Sequence, residues 1–204
     1  MHRYFKWLLV RFFAGLLAAC NAEPPRLAQL AQADVVLAFG DSLTHGTGTD
    51  AEHAYPAQLQ SLIGRTVVNA GIPGETTDEG LQRFPEALAT HRPRLLLLCL
   101  GGNDMLRRQD LGQAAGNLRA MVRLAKAEGV EVVLIGVPEP RLFSGAPSFY
   151  AEIAHEFGLP YEGEVFSEVL KNQSLKADPI HANAEGYRIV AERLAGLLRK
   201  AGAI

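Results

Sequence analysis

The run Arg94 to Leu100, Arg-Leu-Leu-Leu-Leu-Cys-Leu, is the stretch that most constrains this chain. Apolar and polar residues do not alternate in it, so neither face of a strand built from it can meet water. Strands buried on both faces belong to parallel sheets covered by helices on each side. Val35 to Phe39 and Glu131 to Val137 read the same way, with shorter candidates at Thr66 to Asn69 and Leu159 to Tyr161. Segments of helical spacing lie between them. Tyr55 to Ile63 carries Leu59, Leu62 and Ile63 on one face. A helix capped by Thr77 runs toward Ala89, with Pro85 interrupting it. Leu111 to Glu128 repeats apolar residues at helical intervals and is closed by Gly129. Ser148 to Phe157 is helical, and a final helix runs from the cap Asn183 to about Lys200. Residues 164–176 fit no single pattern.

Strands alternating with helices predict an α/β fold of three αβα layers. Right-handed crossovers then give a flavodoxin-like parallel sheet of four or five strands in the order 2-1-3-4-5. The 204 residues suffice for one such domain, placed at 34–204, with no internal repeat. The net charge of −2 gives no basic footprint, so no nucleic-acid partner is expected. No Cys/His spacing suits a metal, and no cofactor is implied.

The amino terminus has a different character. Arg3, Lys6 and Arg11 sit among apolar residues, and Phe12 to Ala19 is an uncharged run ending in small residues. Residues 1–19 therefore read as a secretory signal, too short in its apolar part to span a bilayer. Their removal leaves 17 basic against 22 acidic side chains, a mildly acidic body. Leu17-Ala18-Ala19-Cys20 resembles the lipobox of bacterial lipoproteins, which implies a lipid anchor on Cys20. Asn21 after it implies outer-membrane sorting, with the domain facing the periplasm. Residues 20–33, with Pro24 and Pro25, read as the lipidated cysteine and its tether. Cys99 reads as a buried small hydrophobe rather than a disulfide partner.

Parallel strands deliver their carboxyl ends to one edge of the sheet, where ligands bind in such folds. Four polar clusters fall at or near that edge: Gly40-Asp41-Ser42, Asn69-Ala70-Gly71, Gly101-Gly102-Asn103-Asp104 and Asp178-Pro179-Ile180-His181. A serine there is either a helix cap or a nucleophile, and a nucleophile needs a base, an orienting group and an oxyanion hole. Asp41 and Asp104 read as residues that order their loops. His45 is a distant rival to His181.

These clusters resemble the blocks of the SGNH or GDSL hydrolases, over roughly residues 34 to 200. Gly40-Asp41-Ser42-Leu43 matches the first block, Gly71 the second, Gly102-Asn103-Asp104 the third and Asp178-x-x-His181 the fifth. The Gly-Asp-Ser-Leu-Thr and Asn-Ala-Gly strings are similar to those of the bacterial arylesterase and thioesterase/lysophospholipase branch. The resemblance implies Ser42 as nucleophile, His181 as base and Asp178 as its orienting partner. It also implies an oxyanion hole from the Ser42 and Gly71 amides and the Asn103 side chain. Apolar residues on nearby loops are candidates for the acyl pocket: Met105, Leu106, Pro138, Leu142, Phe143 and Ile180.

The expected activity is hydrolysis of carboxylic esters or thioesters, with a small-molecule or lipid acyl ester as partner. An O-acetyl carbohydrate esterase of the same fold is the nearest alternative, although few aromatic residues lie near the blocks for stacking on sugars. A non-catalytic lipoprotein module and a nucleotide-binding module are further ones. The chain lacks both Gly-x-Gly-x-x-Gly and the P-loop lysine pattern, which weighs against the latter.

Overall fold

The computed structural model describes residues 24–140 and 145–204. The signal segment, Cys20 and the first part of the tether lie outside the described residues, as do Leu142 and Phe143.

Five parallel strands form one sheet in the order β2-β1-β3-β4-β5, as the alternation of elements predicts. They are β1 (Val35–Gly40), β2 (Thr66–Gly71), β3 (Leu95–Cys99), β4 (Glu131–Ile135) and β5 (Tyr161–Glu162). The leucine run occupies the centre: every residue of β3 is buried, and β1 and β4 flank it. Each of those leucines contributes about 1.5–3 kcal/mol through burial. Strand β2 lies at the edge and is only partly covered.

Two helical layers sandwich the sheet. One holds α2 (Tyr55–Ile63), α7 (Val165–Lys171) and α8 (Ala184–Ala201), which pack on one another. The other holds α3 (Thr77–His91), α5 (Leu111–Ala127) and α6 (Ser148–Phe157). Two short helices, α1 (Ser42–His45) and α4 (Gly102–Leu106), begin directly after β1 and β3. The unassigned stretch 164–176 resolves into α7, whose Val165, Phe166, Val169 and Leu170 are buried.

Three local expectations need correction. The cap of α3 is Thr76, not Thr77: Thr76 and Glu79 form a reciprocal capping box, which satisfies two backbone N–H groups at once. Pro85 does not interrupt α3, which continues to His91. The preceding Phe84 is buried edge-on against Phe39, 5.0 Å between ring centroids, and this packing outweighs the lost backbone bond. The described part of the tether, residues 24–33, is not loose. Leu27 and Leu30 are buried, and their amides donate to the carbonyls of Ala201 and Ala203, each at 2.9 Å.

Candidate active site

The site is assembled at the carboxyl edge of β1 and β3 and at the loop before α8. Strand β1 ends at Gly40, and the chain turns at once into α1. Asp41 caps that helix, its Oδ1 accepting from the Leu43 amide at 3.0 Å. Ser42 is therefore held on a helix start at the sheet edge, partly exposed beside a small cavity.

The loop before α8 brings the second half. Asp178 Oδ1 accepts from the amides of Ile180 and His181, each at 2.8 Å, which closes a tight turn. Its Oδ2 lies 2.7 Å from His181 Nδ1. The opposite ring nitrogen, Nε2, lies 2.9 Å from Ser42 Oγ. An acidic acceptor at Nδ1 fixes the tautomer with its proton there, which leaves the Nε2 lone pair toward the serine hydroxyl. Burial works to raise the Asp178 carboxyl, but hydrogen bonds from His181 and Ile180 outweigh it and hold it below its ordinary range. The structure thus brings Ser42, His181 and Asp178 into one continuous hydrogen-bonded row.

Asn103 is set by α4. Its Nδ2 donates to the Glu75 carbonyl at 2.9 Å and lies 3.5 Å from Asp41 Oδ2. The neighbouring Asp104 fixes that helix against the start of α3, accepting from the Thr77 amide at 2.9 Å and from its hydroxyl at 2.6 Å. Asp104 is thus a structural tie, as expected of it.

Gly71 does not face the site. The Ile72 amide donates across the sheet to the Gly40 carbonyl at 3.0 Å. Successive amides along a strand point to opposite edges, so the Gly71 amide points away from β1 and from Ser42. It donates to Asn69 Oδ1 at 3.0 Å. Glycine is needed there for another reason: a Cβ would overlap the backbone of Thr44 and His45, where α1 packs on the end of β2.

The cavity beside Ser42 and His181 has a volume of about 40 Å³. Leu106, Pro138 and Ile180 line it as expected, joined by Leu43, Val137 and Leu170. Met105 does not. It packs partly buried against the core and faces a neighbouring groove, because one residue along a helix turns the side chain to a different face. Leu170 comes from α7, the segment without a readable pattern. Its burial within Val165-Phe166-x-x-Val169-Leu170 was the available signal. His45 is exposed at the end of α1 and does not line the cavity. No cluster of metal-ligating side chains occurs among the described residues.

The comparisons with known proteins agree with this architecture. Residues 38–189 match the model of the GDSL-like lipase/acylhydrolase family. The chain is 34% identical over 203 residues to the thioesterase 1/protease 1/lysophospholipase L1 of Escherichia coli K12, covering 96% of this chain and 93% of that protein. It is 40% identical over 132 residues to esterase TesA of Pseudomonas aeruginosa, covering 62% of this chain and 65% of that protein. A crystal structure of TesA superposes with a TM-score of 0.74 at 29% identity, over 82% of this chain and 99% of that one. The psychrotrophic esterase EstA of Pseudoalteromonas shares the fold with the same TM-score at 22% identity, over 82% of this chain and 97% of that one. A site of this kind, on this sheet and with these relatives, places the chain in the GDSL-like lipase/acylhydrolase family.

Proposed function

We propose that the protein hydrolyses carboxylic esters or thioesters through a covalent acyl-serine. The observation that carries this reading is the row Ser42 Oγ, His181 Nε2, His181 Nδ1, Asp178 Oδ2, with contacts of 2.9 and 2.7 Å. A serine hydroxyl is a weak nucleophile until an adjacent base takes its proton. His181 Nε2 accepts that proton as Oγ attacks the acyl carbonyl, and Asp178 stabilises the imidazolium that forms. His181 then gives the proton to the departing alcohol or thiol. Water repeats the sequence on the acyl-serine and frees the acid.

The negative charge on the attacked oxygen needs donors. The Ser42 amide at the start of α1 and Asn103 Nδ2 serve as two of them: one Nδ2–H stays on the Glu75 carbonyl at 2.9 Å, and the other, which faces Asp41 Oδ2 at a long 3.5 Å, swings to the oxyanion. For the third we propose Gly74 in place of Gly71. In the turn after β2, the amides of Gly71, Ile72 and Glu75 all have acceptors, and Pro73 has no N–H. Gly74 directly precedes the carbonyl that holds Asn103.

The cavity is small and mostly apolar, which suits an acyl group better than a sugar ring. The test is a series of p-nitrophenyl esters from acetyl upward, run beside an acyl thioester and an acetylated glycan. Turnover of the esters, abolished in a folded Ser42→Ala variant, is the expected outcome. Turnover of the acetylated glycan alone would replace this reading by the carbohydrate esterase. A folded protein inert on every substrate would reject it.

A further inference from the structure

The carboxylate next to the nucleophile is not explained by the row of three. Asp41 is 1% exposed, and no cation pairs with it among the described residues. Its neighbours are the carboxylates of Glu75 and Asp104, the Cys99 thiol, and the hydroxyls of Tyr55, Tyr150 and Tyr187. The nearby guanidinium, Arg83, is taken by Glu75 through contacts of 2.5 and 2.6 Å. A buried acid in such surroundings is costly, and the fold keeps one two atoms of backbone away from Ser42 Cα. Such a cost in a fold marks a position where function opposes stability.

Its two oxygens do different things. Oδ1 accepts from the Leu43 amide and so holds the turn that presents Ser42. Oδ2 lies 3.5 Å from Asn103 Nδ2 and would stand 3.2 Å from a Cβ at position 102. Gly102 is what allows α4, and with it Asn103, to come this close. The Asn103 amide is thereby held between the Glu75 carbonyl and Asp41.

We propose that Asp41 is a positioning residue for the oxyanion hole: it holds the turn that carries Ser42 and, before substrate binds, keeps one Asn103 Nδ2–H turned toward that turn, from where it passes to the oxyanion as the acyl carbonyl is attacked. Asp41 touches no reacting atom; it acts through Leu43 and Asn103. Burial first, and then repulsion from Glu75 and Asp104, push its carboxyl up to about 7, against the hydrogen bond from Leu43. At pH 8 it is an acceptor on both oxygens. The inference rests on the acyl-serine reading above.

Asp41→Asn separates the two oxygens. The amide oxygen retains the bond from Leu43, but the amide nitrogen turns a donor toward the Asn103 donor and displaces it. At pH 8 the variant is expected to lose about 10²-fold in kcat on a short p-nitrophenyl ester, with KM changed by less than about threefold. Its thermal midpoint is expected to be no lower than that of the parent. A residue with a merely structural role would lower the midpoint and leave kcat per folded molecule alone. In an Asn103→Ala background the same change should cost less than about threefold, because the residue through which Asp41 acts is already gone.

A folded Asp41→Asn with parental kcat, or an equal loss in both backgrounds, overturns the proposal. Should Asp41→Asn not fold, Gly102→Ala presses a methyl against Oδ2 from outside. It is expected to lower kcat by about tenfold with KM held, and an unchanged kcat would overturn the proposal equally. Ser42→Ala is run alongside. An active Ser42→Ala rejects the acyl-serine reading, whereas an inert one beside a fully active Asp41→Asn rejects only the role of Asp41.

Discussion

Two aspartates flank the same serine and histidine, and they live in opposite surroundings. Asp178 sits on the loop before α8 with its side chain 42% exposed, and three donors hold its carboxylate in the charged form. Asp41 sits under the end of β1 at 1% exposure, and burial first, then the carboxylates of Glu75 and Asp104, drive its carboxyl upward. Burial opposes the charge in both cases, so hydrogen bonding decides the outcome. Two carboxyls whose environments push them apart in this way take different parts in the same chemistry. Asp178 can serve as a permanent anion for His181. In the role proposed for it, Asp41 serves by geometry, through the groups it holds.

The largest test of this contrast is Asp178→Asn. In the proposed mechanism it removes the charge that stabilises the imidazolium and frees His181 to adopt the wrong tautomer. A loss of about 10³–10⁴-fold in kcat is expected, with little change in KM. A loss below about tenfold would mean that Asp178 is no more than a turn residue.

A smaller effect follows from linkage. The carboxyl of Asp41 rises from its ordinary 3.8 to about 7 on folding. A group with a raised folded value leaves stability intact below its unfolded value and removes it as pH climbs through the folded one. The parent should therefore lose stability relative to Asp41→Asn between about pH 4 and pH 7, by an amount on the order of 3–4 kcal/mol, and hold that difference above pH 7. Denaturant unfolding of both proteins across that range checks it. A difference that does not change with pH would show that the carboxyl of Asp41 titrates normally.

The sheet was readable in advance because its central strands leave no choice. Five consecutive buried residues in β3 admit only a strand covered on both faces, and the helical spacing between strands sets the crossovers. The Thr76 cap was equally readable from Thr-x-x-Glu, since Glu79 stands three residues after Thr76 and only two after Thr77. Gly71 could not be decided from sequence. Which way its amide points depends on the parity of its place in β2, and that was set by the pairing of Ile72 with Gly40. The acyl cavity was half legible, since Leu170 reaches it only through the packing of α7 on α8.

Spacing alone would also have misled. Asp50 and His53 repeat the Asp-x-x-His pattern of Asp178 and His181 and make the same kind of contact at 2.7 Å. No serine hydroxyl meets that ring among the described residues, and both side chains are largely exposed. The pair at 178–181 is more buried and is delivered to the edge where β1 presents Ser42.

That delivery is the centre of the account, and intact-protein mass spectrometry after treatment with an alkyl p-nitrophenyl phosphonate tests it most directly. A single adduct is expected, mapped by peptide analysis to Ser42, whose appearance parallels the loss of ester turnover. Ser42→Ala should take up none. Full loss of activity with the adduct on another residue, or undiminished turnover in a protein fully labelled at Ser42, would contradict it.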